Sequence, residues 1–322
     1  MTTDDAPSWQ PTAQTGMLQA RAALLAEIRR FFAVGKVLEV ETPVRSRAGN
    51  SDPGIPQFQT KDGLWLRTSA EYPMKRLLAA GVGDCYELGR VFRAGETGAW
   101  HNPEFTMLEW YRVGWRYDEL MDEVVNLISA CSMRHGKHWS VRRYHYQDWF
   151  HEQLDLDALT ASDEDLRRAA GAHGIDLTGL EALDHDGLLD LLVSHVVQPA
   201  LPADTLTLVD RYPASQAALA RLCDDDPNVA ERFEVFLGPV ELANGYGELT
   251  DAAEQRRRFE QENAKRLSEG ATAVPLDEAL LAALDSGLPE CSGVALGVDR
   301  LLMVLTGALR IEDVLAFPAN RA

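Results

Sequence analysis

Apolar residues recur at helical spacing early in the chain. Leu18, Ala22, Leu25, Ile28 and Phe32 mark one face of a helix over residues 17–32 that runs on to Gly35. Residues 1–16 before it read as a loose arm punctuated by Pro7, Pro11 and Gly16. Val37 to Pro43 reads as an extended segment, and 45–63, with Gly49, Pro53, Gly54, Pro56 and Gly63, as loop. The pattern predicts a helix over 71–80, then strands over 84–92 and 104–112 that form a hairpin with a long loop. Residues 118–133 return to helical spacing. From about 144 to 200 the chain is helical in pattern and poor in β-branched runs, which predicts a helical insertion rather than a second enzyme domain. Strands are expected again at 206–209 and 233–242. A charged helix over 252–268 follows, and then a glycine-spaced strand-to-helix segment from Ser292 to Gly307. No internal repeat or low-complexity tract interrupts the chain.

Alternation within the hairpin puts Glu87, Val91 and Arg93 on one face of its first strand. It puts Phe105, Met107, Glu109 and Tyr111 on one face of the second. The loop between them supplies Glu96, His101 and Asn102. Such an inventory suits a nucleotide, with Arg93 clamping a phosphate and Phe105 stacking on a base. The same alternation is equally that of core residues beneath an ordinary hairpin.

Two further segments carry candidate chemistry. In Val240-Glu-Leu-Ala-Asn-Gly-Tyr-Gly-Glu-Leu249, Glu241 ends an apolar strand, where a buried carboxylate is costly unless paired or bound to metal. Two carboxylates around an Asn could hold Mg²⁺ or an ammonium group. A strand ending in an Asn-Gly turn with solvated acids fits the same letters. In Cys291-Ser-Gly-Val-Ala-Leu-Gly-Val-Asp-Arg-Leu-Leu302, a strand of small residues enters a helix near Val298 whose Leu301, Leu302 and Leu305 face the core. The glycines permit close backbone approach to a ligand, and Arg300 in the first helical turn sits where the helix dipole disfavours a cation unless an anion is met there.

Charge narrows the partners. The chain of 322 residues carries 50 acidic against 31 basic residues, a formal net charge of −19. Its only dense basic run, Arg256-Arg257-Arg258, lies in a Glu-rich helical segment and reads as a solvated face. That balance weakens the case for tRNA and favours a basic protein surface or a small cation. Cys85, Cys131, Cys223 and Cys291 are scattered with no CxxC, as expected of reduced, mostly buried thiols in the cytoplasm. No signal peptide or membrane-spanning run is present in the sequence, and no membrane partner is expected.

Together the three segments resemble the signature set of the class II aminoacyl-tRNA synthetases. Arg29 to Pro43 resembles motif 1, Phe92-Arg93 through Tyr111 motif 2, and Gly293 to Arg300 motif 3, in the right order and over nearly the whole chain. His101-Asn-Pro-Glu-Phe105 and Glu241-Leu-Ala-Asn-Gly-x-x-Glu248 are similar to the lysyl-tRNA synthetase branch. Thr68-Ser-Ala-Glu-Tyr72, with Ser69 where synthetases carry alanine, resembles the paralogues that attach (R)-β-lysine to a lysine of elongation factor P. Ala295, in place of a synthetase glycine, and the Ser8-Trp-Gln-Pro11 start point the same way. The short arm leaves no room for an N-terminal anticodon-binding domain. Motif 2 departs from the family: Phe92-Arg-Ala-Gly-Glu96 puts Gly95 at the usual acid position, with Glu96 one place late. The loop at 45–63 is also shorter than usual.

The resemblance implies an α+β fold, an antiparallel sheet flanked by helices, as one domain over 1–322 that works as a homodimer through motif 1. It implies ATP and Mg²⁺. Arg93 and Arg300 become the catalytic cations. Ala94, Gly95, Glu96, His101, Asn102, Phe105, Glu241, Leu242 and Gly297 join them around ATP. Ser69, Ala70, Glu71, Tyr111, Asn244, Glu248 and Ala295 surround lysine or (R)-β-lysine, and Glu241 and Glu248 hold the metal. The expected partner is elongation factor P rather than tRNA.

Overall fold

The structure, a computed structural model, describes residues 9–322, so the arm's Ser8 lies outside the described residues. In chain order the elements begin with α1 (Thr15–Val34), β1 (Leu38–Glu39), β2 (Arg45–Ser46), β3 (Trp65–Leu66) and α2 (Glu71–Ala79). The hairpin β4 (Cys85–Phe92) and β5 (Glu104–Val113) follows, then α3 (Tyr117–Met133) and β6 (Ser140–His145). Next come α4 (Tyr146–Leu154), α5 (Asp163–Ala172), α6 (His185–Leu192), β7 (Thr205–Pro213), β8 (Val229–Leu237) and β9 (Val240–Gly247). The chain ends with α7 (Ala252–Ser268), α8 (Glu278–Asp285), β10 (Cys291–Gly297) and α9 (Val298–Thr306). It divides into two compact units, one of residues up to 115, 123–138 and 250–322, the other of 116–122 and 139–249.

In the first unit the strands run in the order β1-β4-β5-β10. β4, β5 and β10 are antiparallel, and β1 joins β4 in parallel through Leu38 and Glu39. Helix α1 covers one face. Phe32 stacks on Tyr86 with centroids 4.4 Å apart and meets Trp110 edge-on at 5.4 Å. Tyr86 and Trp110 are register partners, so their face of the hairpin is the one Phe32 covers, and the alternate positions, Glu87 and Glu109 among them, point the other way. Ile28 and Phe32 are buried in α1 as expected, while Leu24 takes the place expected of Ala22 and Leu25, and the helix starts at Thr15, inside the predicted arm. Asp299, at the start of α9, binds Arg21 of α1 and accepts from the Thr106 backbone N–H at 2.7 Å, tying α1, β5 and α9 together.

The second unit orders its strands β9-β8-β7-β6, with β6 parallel to β7 and the rest antiparallel. Apart from one parallel edge pair in each unit the strands are antiparallel, in keeping with the expected α+β fold. Helices α4, α5 and α6 form the predicted insertion, burying Trp149, Phe150, Leu166, Leu188, Leu189 and Leu192 against Tyr212 and Phe236. Ser162 and Asp165 close a reciprocal capping box at the start of α5. The stretch 233–242, read as one strand, is two: Gly238 adopts φ +54° and Pro239 follows, so the chain turns between β8 and β9. A side chain at Gly238 would also press on Ala203 Cα at 3.1 Å. The Asn244-Gly245 pair, which read equally as a turn, lies inside β9.

Candidate active site

The hairpin register brings the predicted nucleotide residues onto one face. Glu87 pairs with Glu109, Gly89 with Met107 and Val91 with Phe105, all opposite the face that Phe32 covers. On the far side of β5, Ala295 is the register partner of Glu109, Gly293 of Tyr111 and Gly297 of Met107. Small residues on β10 therefore leave the floor beside Glu109 low.

Arg93 continues β4 into the loop, its N–H bound to the Pro103 carbonyl at 2.9 Å. Its guanidinium carbon lies 5.3 Å from the Phe105 ring centre, and Glu96 approaches Nη1 at 3.7 Å. Nε of Arg93 is buried and has no hydrogen-bond partner, a costly state for a charged donor that an anionic oxygen would relieve. Gly95, at φ +75°, supplies the left-handed turn that returns Glu96 toward Arg93. Ala94 is anchored by its N–H on the Pro56 carbonyl. Arg300 reaches back from α9 to the loop, with Nη2 2.6 Å from His101 Nε2. Arginine can only donate, so Nε2 of His101 accepts and its proton sits on Nδ1. Asn102 spends its amide inside the protein, accepting from Ala319 N–H at 3.0 Å and donating to the Glu104 carbonyl at 2.6 Å.

The amino-acid candidates of this unit converge on Glu109, which sequence reasoning placed on the face but did not count as a site residue. Its Oε2 accepts from Ser69 Oγ at 2.8 Å and Ala70 N–H at 3.0 Å, and its Oε1 from Tyr111 OH at 2.8 Å. Burial, and next the charge of Glu71, push its carboxyl up to about 7. Ser69 Oγ also accepts from the Glu71 N–H at 2.9 Å, so one hydroxyl joins the two acids' supports. An acid inside the otherwise apolar run Phe105-Thr-Met-Leu-Glu-Trp-Tyr111 was the signal that could have found it.

In the second unit Asn244 pairs with Glu234 and Tyr246 with Arg232 across β8 and β9. The register shifts between Val235 and Phe236, so that Glu241 pairs with Phe236 and shares the Glu234–Asn244 face despite its odd spacing. Asn244 Nδ2 donates to Tyr246 OH at 2.9 Å, while its Oδ1 is buried with no partner. Glu234 is held by Arg232 Nη2 at 2.6 Å. Burial raises the Glu234 carboxyl, Arg232 opposes that, and Glu241 adds to it. Alternation along β9 sends Glu248 to this face too, where it is buried. Leu242 is a core residue. Arg232 and Glu234 were missed because the β8–β9 turn was not recognised.

The chain matches the family described as tRNA synthetases class II (D, K and N) over residues 9–321. It belongs to that family. It is similar to the elongation factor P–(R)-β-lysine ligase of Yersinia enterocolitica serotype O:8, 49% identical with 98% of each chain covered. The protein of that name from Yersinia pestis strain Pestoides F is 47% identical, and 99% of each chain is covered. The one from Yersinia pseudotuberculosis serotype O:1b also shares 47% identity over 99% of each chain.

In the basic run at 256–258 Arg256 and Arg257 lie on a solvated face as expected, whereas the Arg258 side chain is only 12% exposed. Arg257 and Arg258 bind Glu254, and Arg256 binds Glu278. All four cysteines are buried thiols outside any disulfide, and burial pushes the Cys85 and Cys131 thiols up to about 12, which keeps those two inert. Among the described residues no cluster of three or more His, Cys, Asp or Glu is placed to hold a metal ion, and no helix is long and apolar enough to cross a membrane.

Proposed function

We propose that this class II enzyme activates (R)-β-lysine with ATP as the aminoacyl-adenylate and transfers it to a lysine side chain of elongation factor P. The observation that carries the reading is a single sheet face presenting a half-buried guanidinium whose Nε is unsatisfied, beside an aromatic ring and, a few residues along β5, a buried acid. The names of the full-length relatives support it. Arg93 would meet the α-phosphate of ATP while Phe105 stacks on adenine, and Arg300 would serve the outer phosphates from α9. Ala94, Gly95, Glu96, His101, Asn102 and Gly297 would shape that nucleotide site, Asn102 through its backbone, whereas Leu242 belongs to the core.

The substrate carboxylate is already a nucleophile, so the first step needs no general base. Positioning and charge stabilisation carry it. Within the first unit Glu71, Glu109 and Ser69 would hold one ammonium of the substrate, with Tyr111 orienting Glu109 and Ala295 sparing room for the β-amino acid; within the second, Asn244 and Glu248 share a face suited to a polar ligand. In the second step a neutral lysine amine attacks the mixed anhydride and AMP leaves. Mg²⁺ takes few protein ligands when phosphates are present. The carboxylates that share a face, Glu234 with Glu241, fit it, and Glu248 is the further candidate. Bound there, the ion would neutralise phosphate charge. A homodimer through the motif 1 region is supported by the exposed Val34 and Leu38 at the β1 edge, and the inert buried thiols suit the cytoplasm.

The test is incubation with ATP, labelled (R)-β-lysine and elongation factor P, followed by intact mass. A gain of one β-lysyl residue on the factor is expected. Label on tRNA and none on the factor overturns the reading.

A further inference from the structure

Lys75 is the residue whose placement the activity above leaves unexplained. It lies in the second turn of α2 with 1% of its side chain exposed, and its Nζ sits 2.6 Å from Glu71 Oε1. Lysine is rarely buried whole, because its ammonium loses hydration worth far more than an ordinary surface pair returns. A helix this short could have met its packing needs at that position with leucine or methionine. Instead it carries a charge directly beneath an acid at the mouth of the amino-acid site.

We propose that Lys75 is a positioning residue for the amino-acid site, holding one oxygen of Glu71 so that the other faces the substrate ammonium. The inference rests on the ligase reading. Two carboxylates that share supports through Ser69 repel each other, and a cation bound to one of them fixes where that one sits. Around them stand Glu87 and Cys85 on β4, Tyr111 on β5, and Arg67, which is committed to Glu87 at 2.5 Å. On α7, Glu262 is bound to Ser51, and it and Glu71 both act on the buried Tyr72 phenol. Of these groups only Lys75 brings positive charge to Glu71 directly.

Lys75 is also fixed in a way a surface lysine is not. Its side chain is buried on the packed side of α2 with Met74 and Leu78, and Glu71, the first residue of α2, lies one turn before it within reach of its ammonium. Four residues on, in the acid-before-lysine order, is the favourable geometry for such a pair on a helix.

The experiment compares Lys75→Met with the parent in amino-acid-dependent ATP–pyrophosphate exchange with (R)-β-lysine from pH 6 to 9. The KM for the amino acid should rise about tenfold or more at pH 7, and its pH dependence should move upward by about one unit, while the KM for ATP stays put. Unchanged amino-acid KM and an unmoved pH profile overturn the proposal. The double variant Glu71→Gln/Lys75→Met guards against a merely misfolded protein. If Lys75 works through Glu71, adding Lys75→Met to Glu71→Gln should change KM no further, and a full additional loss also overturns it. The parent separates this from failure of the activity itself: exchange absent in the parent sinks the ligase reading, whereas exchange present but indifferent to Lys75 sinks only the positioning role.

Discussion

Tyr111 donates its phenol proton to Glu109 Oε1 at 2.8 Å, from the next position on the same face of β5. Alternation placed the two side by side, and Cys85 and Glu87 opposite them on β4 complete a polar floor. With Ser69 and Ala70 on its other oxygen, Glu109 is fully satisfied by neutral donors and still lacks a cation of its own among those bonds. An ammonium ligand is what such an acid is built to receive.

The raised Glu109 carboxyl gives a prediction for binding. Near pH 6 the acid is largely protonated and must give up its proton to hold an ammonium, so the KM for (R)-β-lysine should fall as pH rises through about 7. Glu109→Gln should raise that KM by about a hundredfold or more and flatten its pH dependence, with ATP binding by calorimetry little changed. A variant that keeps the parent's KM excludes Glu109 from the site.

The same group has a stability consequence of opposite sense. Its folded value lies above the unfolded one, so its favourable contribution is complete below pH ~4.5 and is lost as pH climbs through 7. The loss is on the order of 3 kcal/mol for a fully buried acid. Without substrate, Glu109→Gln should therefore melt several degrees above the parent at pH 8 and close to it at pH 5. Equal melting curves at both pH values would show that the charge is balanced by a group outside these bonds.

Arg93 should tolerate no substitute. Its buried Nε and its reach over Phe105 use the planar fork and not charge alone. Both Arg93→Ala and Arg93→Lys should lower pyrophosphate exchange by about a thousandfold, with the fold intact by circular dichroism. Lysine restoring exchange to within tenfold would make Arg93 a point charge only.

Much of this was legible because the hairpin is antiparallel and period-two. Once β4 and β5 pair, the letters alone assign faces, and Arg93, Phe105, Glu109 and Tyr111 fall together. The helical insertion was legible for the same reason, from a sustained 3.6 period. Three features were not. β6 is the run Ser140-Val-Arg-Arg-Tyr-His145, whose exposed charges hide a strand that exists because β7 offers an edge. α8 is short and was passed over, although Asp277 caps it and Leu280, Leu281 and Leu284 mark its buried side. The Gly238-Pro239 turn was absorbed into a strand because the flanking residues are apolar on both sides, and with it went Arg232 and Glu234.

Glu234 bears on the metal requirement. It shares a face with Glu241 and feels its charge. Glu234→Gln should raise the Mg²⁺ concentration for half-maximal exchange at least tenfold and leave the amino-acid KM at saturating Mg²⁺ near the parent's. Should Glu248→Gln shift the Mg²⁺ requirement and Glu234→Gln leave it alone, the ion belongs to the other pair.

Asp299 is the fixed point from which Arg300 is aimed. It is 2% exposed, binds Arg21, and accepts the Thr106 N–H on its second oxygen, so both oxygens are committed. Arg21 continues to Thr106 Oγ1 at 2.6 Å, closing a small ring through α1, β5 and α9. Breaking one partner of a buried pair leaves the other's charge desolvated, a loss of about 3–5 kcal/mol. Asp299→Ala should lower the melting temperature by several degrees. It should also raise the KM for ATP, because the first turn of α9 carries Arg300. Removing both charges in Arg21→Met/Asp299→Leu should recover most of the stability while leaving the ATP defect, since the orphaned charge is gone but the Thr106 anchor is not restored. If the double variant recovers nucleotide binding as well, α9 is held by packing of Leu301, Leu302 and Leu305 alone, and Asp299 does not aim Arg300.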